Sequence, residues 1–168
     1  MRALGEFPGA ALPDETDDSY RGNALLKARA AARLTNAWAL GDDSGIEVDA
    51  LGGAPGARSA RYGGPGLDDA GRCARLLEAL AGVPPEKRAA RFRCVIALAD
   101  PAGREHVAEG VVEGVIAEAP RGTHGFGYDP VFYYPPLGRT FGELRPSEKA
   151  RVDHRGRAVR AARRFLTG

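Results

Sequence analysis

The chain has 168 residues, 43% of them hydrophobic and 27% charged, enough to bury the core of one compact domain and too few for two independent ones. Its 30 Ala, 23 Gly and 21 Arg against 3 Lys are an unusual mixture, yet Leu, Ile, Val and Phe are frequent enough to exclude a disordered chain. The net charge of +2 is too small to predict nucleic-acid binding and hides a gradient: residues 1–20 carry one Arg against five acids, and residues 139–168 carry nine Lys or Arg against three, a basic end suited to an anionic small molecule or phosphate as well as to a polymer.

Residues 1–18, rich in Pro, Gly and acid, read as an irregular leading segment ending at Asp17, Asp18 and Ser19, all helix-capping types. A helix is predicted from Tyr20 to Leu34, with Leu25, Ala28 and Ala32 on one face. The short apolar run Trp38 to Gly41 stops at Asp42-Asp43-Ser44-Gly45, and Ile46 to Ala50 alternates like a half-buried strand, which puts the paired acids at a strand end. Glycines and prolines make residues 52–66 a loop. Asp68 or Asp69 then caps a helix that turns Cys73, Leu76, Leu77 and Leu80 inward and ends at Pro84-Pro85.

Arg91 to Ala99 and Arg104 to Ile116 are strand-like runs around Asp100-Pro-Ala-Gly103, an antiparallel hairpin. Gly, Pro and aromatics return over residues 120–139. The last 20 or so residues read as helical, with Val152, Val159, Ala162 and Leu166 on one face. Helices and strands mix throughout, so the class is α/β or α+β. Cys73 and Cys94 have no metal-ligand neighbours and suit a reduced, cytoplasmic setting. No apolar run approaches the roughly 20 residues needed to span a bilayer, and no signal peptide is evident.

Three segments carry candidate chemistry. In Gly41-Asp-Asp-Ser-Gly45, adjacent carboxylates projecting in different directions suit a hard cation and an activated water, although a bare Asp-Asp is more often a solvated turn or a cap. Gly125-Phe-Gly-Tyr-Asp-Pro130 offers rings to stack on a base and an acid to read its edge, or else a rigid plug for the core. Lys149 with His154-Arg155 would converge on an anion at a helix N-terminus, where the plain alternative is solvated surface charge. The P-loop, the dinucleotide-binding glycine pattern, the zinc-protease motif and the esterase motif are all absent. Acids for a metal, an aromatic glycine loop for a base and a basic cluster for phosphate together suggest nucleotide chemistry.

Gly41 to Gly56, Ser59-Ala-Arg-Tyr-Gly63, Gly125 to Pro130, Thr140-Phe-Gly-Glu-Leu144 and His154-Arg-Gly-Arg-Ala158, in that order, closely resemble the pyrophosphatases of non-standard purine nucleoside triphosphates, the inosine triphosphatase-like or Ham1-type enzymes. The resemblance implies an elongated α/β fold, a mixed sheet flanked by helices with two lobes around a central cleft, spanning residues 1–168 as one domain. It also implies Mg²⁺-dependent hydrolysis of ITP, dITP and XTP to the monophosphate and pyrophosphate by a cytoplasmic homodimer, with neither a nucleic-acid polymer nor a membrane as partner. Under it, Asp43 activates the water, and Asp43 and Glu15, with Asp42 as an additional ligand, hold the metal. Ser44, Lys27, Phe126, Gly127, Tyr128, Asp129, Lys149, His154 and Arg155 look like substrate contacts, with Arg61 supporting them.

The family's opening strand, its Thr/Ser-x-Asn-x-x-Lys loop and the helix after it, roughly 25 to 30 residues by ordinary element lengths, have no counterpart here, so an N-terminally incomplete domain is expected. Gly22 stands where the family commonly has Glu, and Asp153 replaces the usual Ser before His154-Arg155. Two alternatives remain at this level: a pyrophosphatase of the related Maf type, and a nucleotide-binding homologue without catalysis.

Overall fold

The computed structural model describes residues 2–11 and 13–165. Helix α1 (Tyr20–Thr35) begins where the Ser19 side chain accepts from the Gly22 amide, and it stops at Asn36, whose φ of 50° lies in the left-handed region. Strand β1 (Ala39–Val48) follows, then a 3-10 turn (Gly56–Arg61) and helix α2 (Asp69–Ala79), capped by Asp68. Strands β2 (Ala89–Ala99) and β3 (Glu105–Ile116) form the expected hairpin. Asp100 closes it by accepting the Gly103 amide on its carbonyl and the Arg104 amide on its carboxylate. Short strands β4 (Phe132–Tyr134) and β5 (Arg139–Thr140) precede helices α3 (Pro146–Val152) and α4 (His154–Arg163).

The α/β class is as the sequence predicts, and three expectations change, two of them in the sheet. The strand order is β1-β2-β3-β4-β5 with every pairing antiparallel among the described residues, where a mixed sheet was expected. The long connection carrying α2 returns the chain antiparallel beside β1, and the hairpin turn forces the same sense on β3. The acids also lie in the middle of one continuous strand rather than at a strand end. Residue-by-residue pairing with β2, from Ala39 opposite Ala99 to Val48 opposite Ala90, carries the strand straight through the glycines of Gly41-Asp-Asp-Ser-Gly45.

Alternation along the long strands decides what lies on each face. On one face, Ala24, Ala28 and Ala32 of α1 pack on Val95, Ala97 and Ala99. On the other, Ala158 and Ala162 of α4 pack on Cys94, Ile96 and Ala108. Toward the opposite end of the strands, Ile46, Val48, Leu76, Leu80, Phe92, Val112, Phe132, Phe141 and Leu144 form a larger core. Each fully buried aromatic or aliphatic side chain there stabilises the fold by about 1.5–3 kcal/mol relative to exposure.

The C-terminal helix face differs from the expected one. The helix breaks at Asp153, whose carboxylate accepts the Gly156 amide and starts α4, so the inward positions are His154, Ala158 and Ala162. Val152 falls on α3 beside the large core, Val159 is exposed, and Leu166 lies outside the described residues.

Candidate active site

On β1 the alternation sends Asp43 toward α1 and its neighbours Asp42 and Ser44 toward α4. Asp43 is 6% exposed. Lys27 of α1 donates to Asp43 Oδ1 and to the Asp42 carbonyl, both at 3.0 Å, and its Nζ lies 2.6 Å from Glu15 Oε1. Asn23, fully buried one helical turn earlier, donates to Asp43 Oδ2 at 3.3 Å and accepts the Asp17 amide at 3.1 Å. Burial raises the Asp43 carboxyl above the ordinary carboxylate value, while the Lys27 ammonium and the Asn23 amide oppose the shift. Arg61 reaches the same corner, donating to the Glu15 carbonyl at 3.5 Å.

Across the sheet, Arg155 at the start of α4 donates from Nε (3.2 Å) and Nη2 (2.9 Å) to Asp42 Oδ2, and from Nη2 to Ser44 Oγ (3.3 Å). Beside this pair opens a cavity of about 320 Å³, lined by Ser44, Ser59, Asp69, Arg72, Phe92, residues 126–129, Lys149 and His154 among others. That volume is at the lower end of small-molecule pockets.

The Gly125–Pro130 loop forms one wall. Gly127 turns it with a φ of +59° and donates its amide to Asp69 Oδ2 at 2.6 Å. The half-exposed Phe126 ring carries the Lys149 ammonium 4.5 Å from its centroid. Tyr128 hydroxyl donates to the Ser59 carbonyl at 2.7 Å. Asp129 is buried, accepts the Phe126 amide at 2.9 Å and pairs with Lys149. Burial raises its carboxyl, and the ammonium pulls back.

His154 lies inside, stacked on Phe92 with ring centroids 4.7 Å apart. Burial, reinforced by Arg155 and Lys149, pulls the imidazole down to about 3, so it is neutral at physiological pH.

Placed in this way, Glu15, Lys27, Asp43 and Arg61 meet on the α1 side, and Ser44, Phe126 to Asp129, Lys149, His154 and Arg155 meet on the other. Asp42 does not join Asp43 and Glu15: a strand's alternation puts consecutive side chains on opposite faces, and Arg155 holds it on the second face. The basic cluster is also not a bare anion grip. Arg155 is paired with Asp42, Lys149 with Asp129, and Asp153 accepts the Gly156 amide in the first turn of α4.

Asn23, Ser59, Asp69, Arg72 and Phe92 are site residues that the sequence reading did not single out. Asp69 and Arg72 sit three residues apart on α2, a spacing that puts them on one face, but nothing local says that this face borders the Gly125–Pro130 loop.

Among the described residues no cluster of three or more His, Cys, Asp or Glu could hold a metal ion by itself. Glu15 and Asp43, both within reach of one ammonium, nonetheless form a two-carboxylate oxygen set of the kind that holds Mg²⁺ together with substrate phosphates. Cys73 and Cys94 are buried free thiols and take no part in such a set.

An α/β fold thus sets a cavity walled by aromatic and charged side chains on one face of β1 and the Glu15, Lys27 and Asp43 cluster on the other. The chain belongs to the Ham1 family, whose pattern matches residues 1–165. It is 51% identical over 164 residues to the dITP/XTP pyrophosphatase of Desulforamulus reducens, covering 98% of this chain and 82% of that protein. Identity to the dITP/XTP pyrophosphatase of Thermus thermophilus is 53% over 150 residues, covering 89% and 72%. Among solved structures it resembles a HAM1 protein from Coxiella burnetii, at 45% identity and a TM-score of 0.86 over 94% of this chain and 81% of that one. A nucleoside-triphosphatase, dITP/XTP pyrophosphatase, from Mycobacterium abscessus matches at 45% identity and a TM-score of 0.80 over 97% and 83%. No helix among the described residues is long and apolar enough to cross a membrane.

Proposed function

We propose that this chain hydrolyses non-standard purine nucleoside triphosphates, ITP, dITP and XTP, to the monophosphate and pyrophosphate, and so keeps deaminated bases out of DNA and RNA. The observation that carries the reading is the juxtaposition, across one edge strand, of a ring-sized cavity with the Glu15, Lys27 and Asp43 cluster. β1 carries both halves of this arrangement, with Ser44 toward the cavity and Asp43 toward the Glu15 and Lys27 cluster. The names of the curated relatives support the same chemistry.

Asp43 serves as the general base. Its raised carboxyl accepts a proton more readily than an exposed aspartate, while Lys27 and Asn23 keep it ionised and aimed. It takes the proton from a water that attacks the α-phosphorus; the bond from that phosphorus to the bridging oxygen breaks, and pyrophosphate leaves with the electron pair. Lys27 and Arg61 stand on the side where the departing charge develops. Glu15 and Asp43 would hold Mg²⁺, which neutralises phosphate charge and polarises the phosphoryl oxygens. Lys149 and Phe126 bind the base from one side, and Arg155 bridges Asp42 and Ser44 below it. The buried thiols suit a cytoplasmic setting, and a homodimer is the assembly proposed with this reading.

Pyrophosphate release from ITP, XTP and dITP with Mg²⁺ tests the proposal. Wild-type protein should turn these over in preference to ATP. Asp43→Asn should lower kcat by about 100- to 10,000-fold while inosine nucleotide still binds. Turnover retained in that variant removes Asp43 as the base, and binding without turnover in the wild type leaves a nucleotide-binding protein.

A further inference from the structure

Phe126 is 56% exposed, so burial does not fix its ring. The ring's direction follows from the backbone on either side, where only φ and ψ are free between rigid peptide planes, and three successive planes of this loop are gripped by side chains. Asp129 Oδ2 accepts the Phe126 amide at 2.9 Å, Asp69 Oδ2 accepts the Gly127 amide at 2.6 Å, and the Cys73 thiol reaches the Gly127 carbonyl at 3.4 Å. Burial pushes that thiol up to about 11, so at neutral pH it keeps the proton it donates. Asp69 and Cys73 stand one turn apart on α2. The helix therefore grips Gly127 on both sides, and through the Gly127 amide it holds the peptide that follows Phe126. Arg72 Nη1, 3.4 Å from Asp69 Oδ1, takes the other carboxylate oxygen and leaves Oδ2 to the loop. The start of α2 does not depend on this carboxylate, because Asp68 caps the helix by accepting the Gly71 amide at 2.8 Å.

We propose that Asp69 is a positioning residue for base binding: its grip on the Gly127 amide fixes the direction in which Phe126 presents its ring to the cavity. The inference rests on the nucleotide reading above, in which Phe126 binds the base. A loop already held in its binding conformation loses less freedom when the base arrives, so the grip acts as preorganisation. It is present with bound substrate and in the transition state alike, and its loss therefore belongs in KM more than in kcat. The Glu15, Lys27 and Asp43 cluster lies on the other face of β1 and is not touched by it.

The test compares kcat and KM for ITP and XTP in wild type, Asp69→Ala and Asp69→Asn. It adds calorimetric binding of inosine monophosphate without metal, hydrogen exchange at the Gly127 amide, and the melting temperature. In Asp69→Ala, KM should rise and nucleotide binding should weaken by about five- to tenfold, with kcat changed less than about threefold. Exchange at Gly127 should speed up by about tenfold or more, while the melting temperature stays close to wild type because the Asp68 cap remains. Asp69→Asn keeps an oxygen for the amide and should recover most of each loss. Unchanged Gly127 exchange in Asp69→Ala overturns the grip, and unchanged KM and nucleotide binding overturn its role with the base. A melting temperature that falls together with kcat marks a merely structural role, and a loss in Asp69→Asn as large as in Asp69→Ala shows that charge acts rather than the amide bond; either overturns the proposal. If wild type turns over no nucleoside triphosphate yet its inosine monophosphate binding depends on Asp69, the functional reading fails and the role of Asp69 stands.

Discussion

At Asp43, burial and a neighbouring ammonium act in opposite directions on one carboxyl, and their balance is what a general base requires: ionised, yet more basic than a surface aspartate. His154 is the complementary case, with burial and two cations all disfavouring its charged form. Its folded value of about 3 lies below the ordinary 6.5, so the unfolded chain takes up a proton that the folded chain refuses. The neutral imidazole therefore contributes stability fully present above about pH 6.5 and lost progressively as pH falls toward 3. In His154→Phe, whose ring can still stack on Phe92, the melting temperature should fall less between pH 7 and pH 4 than in wild type. Parallel curves for the two proteins would show that His154 does not carry this acid sensitivity. Sequence patterns identified His154, Arg155 and Lys149 as a group, but their partners Phe92, Asp42 and Asp129 are distant in the chain, so the local run reads as free positive charge when most of it is neutralised.

At the scale of elements, two glycines set how closely helices lie on the sheet. A Cβ on Gly41 would come within 2.5 Å of the Ala24 carbonyl and 2.6 Å of the Ala28 amide, and one on Gly110 within 2.2 Å of the His154 carbonyl and 2.3 Å of the Ala158 amide. The obstacles are helix backbone, which cannot rotate aside, so α1 or α4 would have to lift from the strands. Urea unfolding should show Gly41→Ala and Gly110→Ala destabilised by about 1–3 kcal/mol. Gly5→Ala, where a Cβ meets nothing within 4 Å, should be near neutral; equal effects at all three sites would rule out close approach as the cause. The helices and the hairpin were legible because their signals are local: the Ser19 and Asp68 caps, the 3.6-residue apolar spacing, and the turn from Asp100 to Gly103. The continuity of β1 was not, because Gly41 and Gly45 read as breakers until pairing with β2 and packing against α1 explain them.

Over the whole molecule, β2 and β3 run through all three apolar clusters and β1 through two of them, so the alanine-lined faces and the large aromatic core share one hydrogen-bonded frame. Charge adds little to that frame. Arg91 and Arg93 pair with Glu47, Asp49, Glu109 and Glu113 across neighbouring strands, but most of these groups are partly open to solvent, where such pairs contribute roughly 0–1 kcal/mol. Unfolding should therefore be a single cooperative transition. Fluorescence of Trp38, the only tryptophan, next to the start of β1 and stacked on His106, should coincide with far-ultraviolet circular dichroism in urea; separated midpoints would mean that the two ends of the strands unfold independently.

The sequence by itself determined the residue types of the site, the family resemblance they carry, and the elements whose start and stop signals lie within a few residues of each other. Tertiary structure decided which groups face one another. Strand register separated Asp42 from Asp43 onto opposite faces, folding brought Arg155 from 113 positions away to Asp42, and the seating of α2 brought Asp69 to the Gly127 amide on the cavity wall. The physical reason is that capping and periodicity depend on neighbours in the chain, whereas burial, charge pairing and hydrogen-bond satisfaction depend on neighbours in space.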